Sequence, residues 1–142
     1  MRKLLIANRA EIAIRITRAA AELGIETHAI APGDDESCLH VTRADGFTLL
    51  AGVGAAAYLD IAQVVSIAQR EDCDAIHPGY GFLSENAGFA RAVEAAGLAW
   101  VGPSPEVIET MGDKLAAKDL AEKSGVPTLP MTAAASSSQG LS

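Results

Sequence analysis

Aromatic residues, cysteines and long apolar runs are all scarce in this sequence. Aromatic side chains make up 4% of the 142 residues, and the only cysteines are Cys38 and Cys73. No run approaches the roughly 18 apolar residues that a membrane-spanning helix needs, so we expect no membrane span. Charged residues interrupt the N-terminal segment, which argues against a secretory signal peptide.

The two cysteines form no recognisable metal or redox motif. Neither a Cys-x-x-Cys pair nor a Cys/His cluster is present, which argues against a zinc site and against a disulfide framework. Unpaired thiols are typical of reducing compartments, so we expect a cytoplasmic protein.

Basic residues are outnumbered, with 11 Lys and Arg against 18 Asp and Glu, a net charge of −7. Together with the few aromatic side chains, this balance argues against a nucleic-acid-binding protein. Apolar residues reach 49% and charged residues 20%, which is enough to build a packed core. The length is that of one ordinary domain.

Two common nucleotide-binding motifs are missing. The first predicted strand is followed by residues 7–11 (ANRAE), a turn without glycine, which argues against an NAD or FAD site of the G-x-G-x-x-G type. No G-x-x-x-x-G-K-[ST] segment occurs, which excludes a P-loop enzyme. The same turn lacks the acidic pair that a phosphotransfer receiver domain would carry.

Short apolar runs alternate with amphipathic segments along most of the chain. The predicted strands are residues 4–7, 27–31, 47–50, 75–77 and 99–101. The predicted helices are residues 11–23, 60–70, 84–96 with Ser84 as N-cap, a short helix from 104–105, and 114–123. This alternation predicts an α/β fold, a doubly wound, Rossmann-like parallel sheet with helices on both faces.

We expect residues 1–130 to form this domain and residues 131–142, rich in small and polar side chains, to form a disordered tail. Ligands of such sheets bind beyond the carboxyl ends of the strands. Three loops fall there: 8–11, 77–82 and 102–104.

Several residues allow two interpretations from the pattern alone. The Gly79-to-Ser84 loop is either an anion cradle or a tight turn that needs glycine, and we favour the turn. Lys114 is either a surface lysine or a phosphate contact. Arg15, Arg18 and Glu22 form either a solvated helix face or a subunit contact.

Five segments together resemble the biotin carboxylase family. Its members carry out the first half-reaction of acetyl-CoA, propionyl-CoA, methylcrotonyl-CoA and pyruvate carboxylases. They are residues 6–15 (IANRAEIAIR), 77–86 (HPGYGFLSEN), 101–104 (VGPS), 111–114 (MGDK) and 125–127 (GVP). The ten-residue block 77–86 is the most specific of them. The resemblance covers residues 2 to about 130 and implies the N-terminal domain of an ATP-grasp ligase.

The resemblance also implies an activity and its participants. Family members convert ATP, bicarbonate and biotin on a carrier protein into ADP, phosphate and carboxybiotin, with Mg²⁺ on the phosphates. Lys114 matches the family's ATP-contacting lysine, and Tyr80 and Gly81 match the loop that faces the carboxylation site. Arg15, Arg18 and Glu22 match positions on the helix at the family's dimer interface. No catalytic residue and no metal ligand is carried over onto this chain.

The sequence also departs from the family. Ala10 replaces a glycine, and if that position has a positive φ, alanine strains the turn by about 1 kcal/mol. Residues 31–35 (APGDD) replace a segment with Tyr-Ser, and Met131 stands where the family continues into a glycine-rich lid.

The lid and the C-terminal domain of the family have no counterpart here. We therefore expect the chain to be inactive alone and to bind ATP, Mg²⁺ and biotin weakly. The alternative is a non-catalytic interaction module that docks on a full-length carboxylase.

Overall fold

The computed structural model describes residues 1–129, which fall into two compact units. The first unit runs from Met1 to Glu109, and the second begins at Thr110. The predicted tail, residues 131–142, lies outside the described residues.

The first unit is built on a parallel sheet of five short strands. In chain order they are β1 (Lys3–Ile6), β2 (Glu26–Pro32), β3 (Gly46–Leu50), β4 (Ala75–His77) and β5 (Ala99–Trp100). Their order across the sheet is β3-β2-β1-β4-β5, and every neighbouring pair is parallel. The first strand of the chain is therefore the central strand.

Helices connect the strands, as the sequence pattern predicts. They are α1 (Ala10–Glu22), α2 (Leu39–Arg43), α3 (Gly54–Ala57), α4 (Ile61–Arg70), α5 (Ala87–Ala95), α6 (Pro105–Gly112) and α7 (Lys114–Lys123). A 3₁₀ turn, Gly33–Asp35, follows β2. The chain crosses from β1 to β2 in one direction and from β4 to β5 in the other. Right-handed connections consequently place α1 and α5 on opposite faces of the sheet.

The strands alternate their side chains between two hydrophobic cores. Leu5 and Ile76 belong to the first core, whose helical members include residues of α4 and α5: Val64, Ile67, Ala68, Phe89 and Val93. Leu4 and Ile6 belong to the second core, where the helical members come from α1: Ala13, Ile16 and Ala20. The two cores confirm the doubly wound α/β fold with helices on both faces.

One local prediction is wrong. Helix α5 begins at Ala87, not after Ser84, because the Ser84 amide donates to the Gly81 carbonyl (2.9 Å) and closes a turn there. The N-cap is Asn86, whose side chain accepts from the Phe89 amide at 2.9 Å.

The second unit contains α7, which begins directly after Asp113. The Asp113 carboxylate accepts from the amides of Leu115 and Ala116 and so caps the helix. None of the residues in α7 is buried, and Leu115 and Leu120 are exposed. Among residues 1–129, every helix is too short or too polar to span a bilayer.

Candidate functional site

Asn8 joins two of the three loops that were predicted to carry a site. It follows the central strand and is 3% exposed. Its side-chain nitrogen donates to the carbonyls of Pro78 (2.7 Å) and Tyr80 (2.8 Å), while its side-chain oxygen accepts from the Arg9 amide (2.9 Å). A single buried amide therefore uses both of its donors to hold the loop after β4 against the start of α1.

Glycines shape this loop, which supports the interpretation as a tight turn. Gly79 and Gly81 have φ values of +66° and +68°, in the left-handed region that suits glycine. A Cβ at Gly79 would lie 2.8 Å from Asn8 Nδ2 and 3.1 Å from Ile12 Cγ1. At Gly81 the same atom would meet nothing within 4 Å. Glycine is therefore favoured at position 79 for two reasons: the positive φ, and the close approach of the Asn8 and Ile12 side chains.

Tyr80 is displayed on the outside of this loop. Its side chain is 62% exposed, and its hydroxyl donates to Glu11 Oε2 at 3.0 Å. The other oxygen of Glu11 accepts from Arg15 Nη1 at 3.2 Å. The pKa of Tyr80 is raised by this hydrogen bond to a carboxylate. The ring is therefore a neutral, water-facing phenol beside the first turn of α1.

A polar and aromatic cluster lies on the other side of Arg9. Arg9 Nη1 and the Tyr58 hydroxyl both donate to Asp35 Oδ2, at 3.0 and 2.9 Å. The Tyr58 and Phe82 rings stack with centroids 5.0 Å apart, and the Arg9 guanidinium lies 5.8 and 5.7 Å from the two centroids. Through Phe82 this cluster supports the end of the same loop that Asn8 holds.

The cluster shifts the titration of its members. Burial favours the neutral form of Asp35, but the hydrogen bonds from Arg9 and Tyr58 outweigh it and lower the pKa of this carboxyl. Burial and the neighbouring Asp35 carboxylate raise the pKa of Tyr58 well above its usual value. Burial lowers the pKa of His40, whose Nε2 lies 3.4 Å from the Ile30 carbonyl. Asp35 is therefore ionised, and Tyr58 and His40 are neutral, at physiological pH.

Ala10 occupies a left-handed backbone position, with φ of +54°. This is the position where the family resemblance expects glycine. The condition for strain is thus met, and alanine costs about 1 kcal/mol more than glycine there.

The other predicted site residues lie on α1, on α7 and in the loop after β5. Arg15, Arg18 and Glu22 are all exposed, and their spacing places them along one side of α1, away from its buried residues. Arg15 alone is joined to the loop, through Glu11 and Tyr80. Lys114 is the exposed first residue of α7, in the second unit. The third predicted loop, 102–104, follows the edge strand β5, and its Pro103 carbonyl accepts from Trp100 Nε1 at 2.9 Å.

Sequence reasoning missed the residues that hold the loop in place. Asn8 and Arg9 were considered only as members of the 8–11 loop and of the segment 6–15, without individual roles, and Tyr58 was not singled out. Asp34 and Asp35 were noted only within residues 31–35, as a departure from the family. Their roles depend on contacts between residues more than twenty positions apart, and the one available signal was the place of residues 8–11 at a strand's carboxyl end.

A metal centre is not apparent in the described part of the chain. No group of three or more His, Cys, Asp or Glu side chains in residues 1–129 is arranged to hold a metal ion.

Comparisons of sequence and structure relate the chain to known proteins. The family described as biotin carboxylase, N-terminal domain, matches residues 1–108. The chain is 47% identical over 131 residues to the biotin carboxylase of Pseudomonas aeruginosa, covering 92% of this chain and 29% of that one. A solved biotin carboxylase domain of a single-chain bacterial carboxylase is 51% identical with a TM-score of 0.89, covering 93% of this chain and 31% of the other.

A third match was solved with ligands. It is the biotin carboxylase domain dimer of Hydrogenobacter thermophilus 2-oxoglutarate carboxylase, in complex with MgADP, ADP and bicarbonate. It is 44% identical with a TM-score of 0.88, and the match covers 91% of this chain and 28% of that one. The chain thus spans less than a third of the length of each of these three proteins. The family match and the shared fold together show that the chain belongs to the biotin carboxylase family and carries its N-terminal domain.

Proposed function

We propose that this chain is the N-terminal part of an ATP-dependent biotin carboxylase. The complete enzyme would convert ATP, bicarbonate and carrier-bound biotin into ADP, phosphate and carboxybiotin. The observation that carries the proposal is the loop of block 77–86, which Asn8 fixes at the carboxyl end of the central strand. The most family-specific segment of the sequence is thus built where such sheets bind ligands.

Two parts of the chain would serve the reaction directly. The loop of Tyr80 and Gly81 would face the carboxylation site, since Tyr80 is exposed and its backbone is held by Asn8. Lys114 would contact the phosphates of ATP, which supplies the phosphoryl group that activates bicarbonate. Lys114 is exposed, and none of the ion pairs found within residues 1–129 includes it, so its ammonium group is available to a phosphate.

Magnesium does not fit the residues of this chain in the same way. Residues 1–129 offer no cluster of metal-binding side chains, so the ligands of Mg²⁺ would lie in the rest of the enzyme. One lysine gives little affinity once ordering costs are met. The isolated chain is accordingly proposed to be inactive and to bind neither ATP nor biotin tightly.

The proposed partners are the remaining domains of the carboxylase, the biotin carboxyl carrier protein and a second copy of the chain. The second copy would meet the face formed by Arg15, Arg18 and Glu22, whose mixed charges allow a self-complementary contact. We place the protein in the cytoplasm, in keeping with its free cysteines. The compound that the parent system carboxylates is not assigned.

An interaction module is the second candidate. The first unit has its own complete sheet and two cores, which favours a domain that folds alone and docks on a full-length carboxylase.

A chimera tests the first proposal. The N-terminal segment of the Pseudomonas aeruginosa biotin carboxylase is replaced by residues 1–129 of this chain, and biotin-dependent ADP release is measured. We expect an active chimera, in which Lys114→Ala raises the KM for ATP at least tenfold and Lys123→Ala, at the other end of α7, does not. A chimera that folds cooperatively but releases no ADP would contradict the proposal.

Calorimetry on the 142-residue chain separates the two candidates. We expect no saturable binding of MgATP. Saturable binding that disappears in Lys114→Ala would instead favour an independent module.

A further inference from the structure

Phe82 has a backbone conformation that residues with a side chain rarely adopt. Its φ of +42° lies in the left-handed region, where glycine is the usual residue. A bulky residue stays in such a conformation only where its surroundings hold it. Phe82 directly follows Gly81, in the loop that the proposed function assigns to the carboxylation site. The groups that hold Phe82 therefore also set the shape of that loop.

Two side chains from other connections hold the Phe82 ring. The Tyr58 ring stacks against it, with centroids 5.0 Å apart and planes 11° from parallel. The Arg9 guanidinium lies 5.7 Å from the Phe82 centroid and 5.8 Å from the Tyr58 centroid, within the range of a cation–π contact with each ring. Tyr58 is fully buried. The Arg9 side chain is 39% exposed, so packing alone does not keep it beside the rings.

A single carboxylate oxygen fixes both of these side chains. Asp35 Oδ2 accepts from Arg9 Nη1 at 3.0 Å and from the Tyr58 hydroxyl at 2.9 Å. The Asp35 side chain is only 15% exposed, and the same two hydrogen bonds keep it ionised at neutral pH. Asp35 ends the 3₁₀ turn that follows β2. Its contacts therefore tie the connections after β1 and β4 to the connection after β2.

We propose that Asp35 is a positioning residue for the carboxylation reaction, and that it acts through the two side chains that hold Phe82. The inference rests on the proposed function. Asn8 binds the carbonyl that precedes Gly81, and Phe82 follows Gly81 directly. The loop is thus held on both sides of the residue that would face the reacting groups. Such a fixed geometry is what a reaction between bound groups requires.

A purely structural role of Asp35 would have a different signature. Tyr58 and Phe82 also pack in or against the first core. If Asp35 only supported that core, its loss would lower the stability of the whole domain, and amides of the sheet and of the loop would exchange faster to the same extent. A positioning role instead loosens the loop more than the sheet, because the loop opens locally.

Hydrogen exchange in the 142-residue chain separates these two roles. The loop is reported by the Ser84 amide, which donates to the Gly81 carbonyl at 2.9 Å. The sheet is reported by the Ala7 amide, which donates to the His77 carbonyl at 2.9 Å. In Asp35→Ala we expect exchange at Ser84 to accelerate at least fivefold more than exchange at Ala7. Equal acceleration at the two amides, or none at Ser84, would overturn the proposal.

Milder variants grade the effect, and they decide the matter if Asp35→Ala does not fold. Asp35→Asn retains an acceptor for Tyr58 but loses the charge that holds Arg9. We expect it to accelerate exchange at Ser84 at least threefold relative to the sheet, and no acceleration would overturn the proposal.

A double variant tests the route through the aromatic ring. Phe82→Leu removes the ring through which Asp35 is proposed to act. Adding Asp35→Asn to Phe82→Leu should therefore change exchange at Ser84 less than twofold. A full additional effect of Asp35→Asn in this background would overturn the action through Phe82.

Kinetics of the chimera described above link the loop to the reaction. We expect Asp35→Asn to lower kcat for biotin-dependent ADP release at least fivefold and to leave the KM for ATP within twofold, because the proposed ATP contact, Lys114, belongs to the other unit. Glu36→Gln is the matched control, since it removes an exposed carboxylate from the next position. It should change kcat less than twofold.

The proposed function and the positioning role fail in different ways. A folded chimera without ADP release would contradict the proposed function, whereas the exchange rates in the 142-residue chain would still decide whether Asp35 holds the loop. An active chimera in which Asp35→Asn leaves kcat unchanged would keep the proposed function and reject Asp35 as a positioning residue.

Discussion

The side-chain nitrogen of Asn8 lies 2.8 Å from the carbonyl oxygen of Tyr80, which is 72 positions away in the chain. The same nitrogen also serves the Pro78 carbonyl. These contacts explain why the turn after β1 has no glycine at position 8. The side-chain amide of Asn8 is needed there to hold the loop after β4.

Asn8→Ala should destabilise the protein by about 2–4 kcal/mol, because the buried Pro78 carbonyl and the part-buried Tyr80 carbonyl lose their donor and a small cavity remains. Urea unfolding followed by the fluorescence of Trp100, the single tryptophan, measures the change. Thr42→Ala is the control, since this exposed hydroxyl bonds only a local carbonyl, Leu39. A loss below about 0.5 kcal/mol for Asn8→Ala would show that the loop does not depend on the amide.

Ala10→Gly should stabilise the protein by about 1 kcal/mol, because Ala10 has a φ of +54°. The matched control is Ala21→Gly, an exposed alanine further along the same helix. That substitution should destabilise by about 0.5–1 kcal/mol, as glycine does inside a helix. Thermal and urea unfolding of both variants show whether each substitution raises or lowers the free energy of unfolding. If both variants lost stability, the left-handed strain at position 10 would be disproved.

Gly79→Ala and Gly81→Ala should differ although their φ values are nearly equal. Both variants lose about 1 kcal/mol to left-handed strain. Gly79→Ala also forces a Cβ to within 2.8 Å of Asn8 Nδ2, whereas the Cβ at Gly81 meets open space. We expect Gly79→Ala to cost at least 1–2 kcal/mol more, and to speed hydrogen exchange of the amides in residues 79–82. Equal losses in the two variants would mean that Asn8 moves aside freely.

Stability should fall as the pH drops below about 6.5. Burial lowers the pKa of all three histidines, His28, His40 and His77, in the folded protein. The unfolded chain therefore binds protons at a pH where the folded chain does not, and each histidine contributes up to about 1.4 kcal/mol per pH unit. Nearby Glu71 partly offsets the effect at His28, and Lys3 adds to it.

Urea unfolding at pH 7.5, 6.5 and 5.5 measures this dependence. His28→Gln should reduce the slope by the share of one histidine, because glutamine does not titrate in this range; the side-chain contact it puts at stake is that of His28 Nε2 with Thr48 Oγ1, at 2.8 Å. Asp35 does not interfere, because its lowered pKa moves its titration below this window. A free energy of unfolding that stays flat across the series would contradict the burial of neutral histidines.

The sheet was predictable because its signals are local. Each strand is a short apolar run, and glycines at 24 and 97 end α1 and α5 in left-handed conformations. The start of α5 was not predictable in the same way, since Ser84 and Asn86 are both good caps. The choice between them is made by the turn from Gly81 to Ser84, whose shape depends on Phe82 stacking against Tyr58.

The sequence predicts where the candidate site lies, but not which side chains contact one another there. Parallel strands bring the loops after β1 and β4 to one edge, so their meeting follows from the topology. No periodicity in the sequence predicts that Asp35 accepts hydrogen bonds from both Arg9 and Tyr58, because the three residues come from separate connections between elements. Such contacts are selected by tertiary packing.

The central place of β1 has a consequence for the synthesis of this protein. The strand is made first, yet one of its edges pairs with β4, which is made about seventy residues later. Until β4 leaves the ribosome, a nascent chain with β1 and β2 already joined displays an apolar strand with an open edge, the kind of surface on which chains aggregate. Pairing of β4 closes this edge. The same step brings the carbonyls of Pro78 and Tyr80 within hydrogen-bonding distance of the Asn8 side-chain amide.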